Sequence, residues 1–181
     1  MNCFNVKRRT SGFTLVELMT IVVVVAILVA MATPSMTTMI QRNRIDAYSN
    51  ELISALAMAR SEAIKRGELA SVKNSSNKSL VNGWQVAAAT FSNPSSALVI
   101  QEQIGMKDAE FCGSACTTDG KDDPVSITFN SRGNLESLNG AQVKEVKMVL
   151  IPGNCSPKKD VGKAIWISAV GRISSKRVAC P

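Results

Sequence analysis

The sequence predicts an α+β protein: one long N-terminal helix, its first half membrane-spanning and its second half amphipathic, packed on a C-terminal antiparallel β-rich head. Three observations predict it. An apolar run of about twenty residues lies near the N-terminus. A three- and four-residue periodicity follows it. After Gly67 the texture changes to short β-type runs broken by turn residues. The 181 residues suit one domain with an appendage, since domains commonly run ~100–150 residues. Composition also bounds function. There is no histidine, which removes the Ser-His-Asp triad, histidine-ligated zinc and histidine acid–base catalysis, so the chain reads as a non-enzyme without cofactor or metal. Aromatic residues are only 4%, which leaves the core to aliphatic packing and offers few rings for base stacking.

The apolar run occupies residues 13–32, FTLVELMTIVVVVAILVAMA, long enough at ~1.5 Å per residue to cross the ~30 Å hydrocarbon core of a bilayer. Lys7, Arg8 and Arg9 precede it and belong on the cytoplasmic side, which exports the rest of the chain. A conventional signal peptide is the competing reading, because Ala30-Met31-Ala32 fits a small-x-small cleavage site. Glu17 weighs against it. An ionised acid inside such a run costs on the order of 2.5–3.5 kcal/mol and marks a function with a partner.

Past Pro34, where the missing backbone donor favours a bend, Ile45, Tyr48, Leu52, Leu56, Ala59 and Ala63 recur at helical spacing between charged residues, and Gly67 reads as the stop. Such a stripe predicts a half-buried helix lying on a sheet. Six strands are expected, at 69–72, 84–91, 97–101, 126–129, 146–151 and 164–169, in one antiparallel sheet or two small ones. Residues 73–83 and 107–124 read as loops, and Gly133 and Gly171 as turn or bulge glycines.

Lys7-Arg8-Arg9-Thr10-Ser11-Gly12 followed by Phe13-Thr14-Leu15-Val16-Glu17-Leu18-Met19 resembles the class III leader of type IV pilins and type II secretion pseudopilins. The resemblance implies that a prepilin peptidase cuts after Gly12 and methylates the new N-terminal Phe13. The implied layout is a leader at 1–12, a transmembrane and filament-core helix at 13–33, the amphipathic half of the spine helix at 34–67 and a periplasmic head at 68–181. A carboxylate in lipid needs a counter-charge, and the freed amine of Phe13, on the same or a neighbouring subunit, is the nearest cation for Glu17.

Further motifs narrow the resemblance. Ala59-Arg60-Ser61-Glu62-Ala63-Ile64-Lys65-Arg66-Gly67, Gly83-Trp84-Gln85-Val86, Ile127-Thr128-Phe129-Asn130-Ser131-Arg132-Gly133 and Ile167-Ser168-Ala169-Val170-Gly171-Arg172-Ile173 are similar to the H-type pseudopilin and FimT/FimU minor-pilin family. The implied role is a low-copy subunit near a filament tip, supporting pilus assembly from the inner membrane, with other major and minor pilins as partners. The alternatives are a DNA-binding minor pilin for natural transformation and an H-type pseudopilin of a type II secretion system.

Five cysteines are present, and Cys3 lies in the leader, which leaves Cys112, Cys116, Cys155 and Cys180 in the exported head. Four cysteines in an oxidising compartment predict two disulfides, and of the three connectivities Cys112–Cys116 with Cys155–Cys180 is favoured over a four-thiolate metal site. The first pair shares one turn-rich loop, and the second ties the end of the chain to a strand.

The only acidic cluster, Asp108, Glu110, Asp119, Asp122 and Asp123, lacks the oxygen spacing of a calcium loop and reads as solvated. Removing the leader's three cations takes the net charge from +7 to +4. Residues 147–181 carry seven cations, Lys147, Lys158, Lys159, Lys163, Arg172, Lys176 and Arg177, against Asp160. The last six are candidate contacts to the phosphates of double-stranded DNA. Some FimT-like members take up DNA through a terminal Gly-Arg-x-Arg motif. Gly171-Arg172-Ile173-Ser174 matches its first half, and Ser174 replaces the second arginine. A solvated basic face, or a contact to an acidic neighbour, is the competing reading.

Overall fold

The structure, a computed structural model, describes residues 12–74, 76, 78–89, 97–112, 124–155 and 160–180, without the side chains of 31–35. Among the described residues one α-helix, α1 (Leu15–Arg66), is followed by ten strands, with a short 3-10 helix (Leu80–Asn82) between the first two: β1 (Ala70–Lys73), β2 (Gly83–Ala88), β3 (Leu98–Ile104), β4 (Ala109–Cys112), β5 (Ser126–Phe129), β6 (Leu135–Leu138), β7 (Ala141–Gln142), β8 (Glu145–Pro152), β9 (Gly162–Ser168) and β10 (Ile173–Val178). The chain divides into two compact units, Met1–Met39 and Ile40–Pro181.

In the first unit, Thr14 caps α1: its hydroxyl accepts the Glu17 N–H at 3.3 Å, which satisfies one of the helix's orphan donors. α1 continues through position 34. Among the described residues no helix is long and apolar enough to cross a membrane.

In the second unit, α1 ends as its residues dictate. Gly67 adopts φ +68°, and Glu68 donates its N–H to the Ala63 carbonyl at 3.2 Å, a Schellman closure. Lys65 and Arg66 occupy the last turn, where cations suit the helix dipole, and both pair with Glu62 at 3.2 and 2.9 Å. Their hydrogen bonds, Arg66's first, hold the Glu62 carboxyl below its ordinary value.

Two antiparallel sheets complete this unit, with strand orders β3-β2-β1-β5-β6-β7 and β10-β9-β8-β4. The core is one cluster in which Ile45, Leu52, Leu56, Ala59 and Ala63 of α1 meet Val72, Val86, Ile127, Phe129, Leu150, Ile165 and Ile167 from both sheets. Of the helical stripe read from the sequence, only Tyr48 stays partly exposed, and its hydroxyl accepts the Lys107 N–H at 3.2 Å.

The six expected strands form, with ends shifted by a few residues; positions 90–96 of the second and third lie outside the described residues. β4, β6, β7 and β10 are additional. β4 corrects the loop expected over 107–124, because Phe111 and Cys112 are buried within it and pair with Leu150 and Val149 of β8. Its apolar residues are too few and too close to Asp108 and Glu110 to stand out as a strand in sequence.

Candidate functional site

Three regions hold the sequence-predicted residues. At the N-terminus Gly12 and Phe13 are exposed, Phe13 at 69%. The leader residues before Gly12 lie outside the described residues. Glu17 stands in the first turn of α1, where a carboxylate favours the helix dipole. The apolar side chains from Leu15 to Val29 are 47–75% exposed on every face of the helix. Thr14-Leu15-Val16-Glu17 is thus also a helix-start signal, a reading that the Thr-x-x-Glu spacing carries in sequence.

The second region gathers three of the family-like motifs at one point. The Arg60 Nε donates to the Gly133 carbonyl at 2.9 Å and its terminal nitrogen to the Val170 carbonyl at 3.0 Å. Gly133 and Gly171 both have positive φ, +78° and +72°. A Cβ on Gly171 would lie 2.0 Å from the Gly133 carbonyl oxygen, so close backbone approach as well as φ requires glycine there. Asn130 shapes the turn, its side-chain oxygen accepting the N–H groups of Arg132 and Asn134. The sequence assigns Arg60 no role, because both of its partners are backbone carbonyls. Beside this clasp a groove of about 520 Å³ is lined by Ile53, Ala57, Ile64, Lys65, Arg172 and Ile173.

The third region is the basic end. The pleat divides it, because successive strand residues point to opposite faces. Lys163 pairs across the ladder with Leu150 and Arg177, on the face that carries Ile165 and Ile167. There Lys163 reaches Asp46 of α1 at 2.9 Å, and Arg177 bonds the other oxygen of the same carboxylate. Burial pushes the Asp46 carboxyl up, but the hydrogen bond and charge of Lys163 and the charge of Arg177 outweigh it and hold the group below its ordinary value. Lys176 pairs with Ala164 on the opposite face, exposed. Arg172 precedes β10 at the groove. Lys158 and Lys159 lie outside the described residues. The six candidate cations therefore do not form one surface among the described residues: two serve Asp46, and two stand apart.

Cys155 and Cys180 form a disulfide with Cα atoms 5.8 Å apart, as expected. It joins the turn after β8 to the end of the chain. Cys112 is also disulfide-bonded; Cys116 lies outside the described residues. Asp108 pairs with Arg44 at 2.9 Å, Glu110 is exposed, and Asp119, Asp122 and Asp123 lie outside the described residues.

The prokaryotic N-terminal methylation motif matches residues 7–33, and the family of the type II transport protein GspH matches residues 49–158. Two crystal structures of the type IV minor pilin FimU of Pseudomonas aeruginosa are similar in fold. At 19% identity, one has a TM-score of 0.53, covering 75% of this chain and 90% of that one, and the other 0.51, covering 72% and 91%. No curated protein matches. A match over more than half its length, on a long helix followed by antiparallel sheets, places the chain in the GspH family of H-type pseudopilins and type IV minor pilins.

Proposed function

We propose that this chain is a minor subunit of a type IV pilus, low in copy, located near the filament tip and supporting pilus assembly. The carrying observation is the apolar surface between Leu15 and Val29, exposed on every face of the helix and broken by one carboxylate, Glu17. Such a surface needs lipid or other helices around it. In this reading prepilin peptidase cuts between Gly12 and Phe13 and methylates Phe13. Residues 13–33 then anchor the chain in the inner membrane and later pack in the filament core, residues 34–67 complete the spine, and residues 68–181 form the head in the periplasm. The Phe13 amine and Glu17 pair between neighbouring subunits and set their register.

Mass spectrometry of the mature protein tests the processing step: the chain begins at methylated Phe13. A start at Thr33 makes it an ordinary secreted protein and removes the reading. Glu17→Ala still inserts in membranes yet is missing from sheared filaments; its presence there at wild-type level removes Glu17 from docking. A second reading, a pseudopilin of a type II secretion system, is favoured by the description of the matching family. Deletion separates the two: loss of surface pili supports the first, and loss of secreted enzymes with normal pili the second.

The DNA-binding alternative rests, among the described residues, on Arg172 and Lys176, since Asp46 engages Lys163 and Arg177. Full-length protein in detergent that shifts duplex DNA at low salt, and loses the shift in Arg172→Gln/Lys176→Gln, supports it. No shift at low salt removes it.

A further inference from the structure

Among the described residues β10 is an edge strand: it pairs with β9 alone. Ser168 donates its N–H to the Arg172 carbonyl at 3.0 Å, which makes these two a hydrogen-bonded pair. The alternation of an antiparallel ladder then directs the N–H and C=O groups of Ile173, Ser175 and Arg177 away from β9. Beside this open edge runs the 520 Å³ groove, with a floor of Ile53, Ala57, Ile64 and Ile173, and Ile64 is 51% exposed. Arg172 stands where the groove meets the start of β10. Its backbone N–H is bound to the Ser168 hydroxyl at 3.2 Å, while no hydrogen bond or ion pair engages its guanidinium among the described residues. The other two cations of the wall are occupied, Arg60 by two carbonyls and Lys65 by Glu62.

The geometry points to this groove as a receptor for the free carboxyl terminus of another polypeptide, bound as an added strand on β10. A strand running antiparallel to β10 ends where β10 begins, which brings its terminal carboxylate to Arg172. Its backbone pairs with the outward groups of Ile173, Ser175 and Arg177, and its alternate side chains lie on Ile53, Ala57 and Ile64. The guanidinium fork matches a carboxylate with two parallel hydrogen bonds, and the apolar floor selects an apolar last residue. An internal segment offers a carboxylate only from an Asp or Glu side chain, which projects from a face of the strand, whereas a chain terminus carries it in line with the strand, where Arg172 stands. A nucleic-acid backbone offers the anion without amides for the edge or side chains for the floor. This inference is independent of whether the filament belongs to a pilus or a secretion system.

The test uses full-length protein in detergent micelles and fluorescein-labelled hexapeptides of alternating serine and an apolar residue. The peptides end in valine, leucine, isoleucine or phenylalanine, each made as the free acid and as the amide. At least one free acid binds, and its amide binds about tenfold more weakly or worse, as expected for loss of a charge-assisted hydrogen bond. Arg172→Gln lowers the acid to the level of the amide. Ser175→Pro removes an N–H from the open side only, so it abolishes binding of both forms while the thermal melt is kept. Equal affinity for acid and amide, full binding by Arg172→Gln, or no free acid bound at about millimolar concentration overturns the inference. Duplex DNA binding that depends on Arg172, without peptide binding, overturns it too and assigns the guanidinium to phosphate.

Discussion

Residues 15–30 of α1 keep Leu15, Val22 and Leu28 between 58% and 75% exposed, whereas Ile45, Leu52, Leu56, Ala59 and Ala63 further along the same helix are at 1% or less. Both stretches are rich in aliphatic residues; what differs is their arrangement. The first is apolar on all faces, so no single sheet can cover it. The second confines its large apolar residues to a stripe and places Arg44, Asp46, Arg60 and Glu62 beside it, and the sheets cover that stripe. Each large side chain left in water forgoes about 1.5–3 kcal/mol of burial. The second stretch therefore gains its stability from the head, and the proposed reading leaves the first to lipid or neighbouring helices, so substitutions in the two should register in different assays.

The largest effect is expected where the second stretch is clasped to the turns. Gly171→Ala forces a Cβ to 2.0 Å from a backbone oxygen at φ +72°, and neither atom can move alone. Disruption of the head by more than ~4 kcal/mol is expected, seen as loss of the cooperative melt. Gly133→Ala meets side chains only, Ile64 from 2.6 Å and the Arg60 Nε at 3.2 Å, at φ +78°, and should be milder because side chains can give way where a backbone oxygen cannot. Equal melts for the wild type and the Gly171 variant would mean that the clasp does not hold the head together.

Next comes the disulfide. Replacing Cys155 and Cys180 by serine frees a loop with a sequence separation of 25 and should cost about 3.5 kcal/mol by loop entropy. Denaturant titration of the oxidised wild type and the double variant measures it. A third test takes one residue from each stretch. Leu56→Ala should destabilise the head by about 2–5 kcal/mol, while Val24→Ala should leave the head's melt unchanged and lower incorporation into filaments. A shift of the head's melt by the Val24 variant would break the comparison.

The same contrast explains what was legible in the sequence. Periodicity exposed the helix, its stop at Gly67 and the strands whose apolar residues alternate, β5 down to its ends. β10, reading Ile173-Ser174-Ser175-Lys176-Arg177-Val178, was hidden because an edge strand buries little and shows few apolar residues. The basic end looked like one patch because a linear count of cations ignores the pleat. Lys176 and Arg177 are adjacent in sequence and lie on opposite faces, and Asp46, more than a hundred residues earlier, takes up Arg177 and Lys163. Arg60 was equally hidden, since its partners are backbone carbonyls, which no side-chain pattern announces.

The smallest expected effect concerns Asp46, which fastens the end of β10 to the second stretch of α1. Its side chain is 28% exposed, so solvent screens the pair with Lys163 and Arg177, and Asp46→Asn should cost only about 0.5–1 kcal/mol at neutral pH. The pH dependence gives the test its edge. The folded-state value of this carboxyl is lowered from 3.8, so the unfolded chain binds the proton more readily. The stabilisation is fully present above the unfolded value and is lost as pH falls through the folded one. Wild type and Asp46→Asn should therefore differ by a constant amount from neutral pH down to about 5, and the gap should narrow as pH falls below the unfolded value of 3.8. Denaturant midpoints measured from pH 7 to pH 3 decide it: a gap that does not narrow between pH 5 and pH 3 would show that the Asn variant loses packing rather than charge.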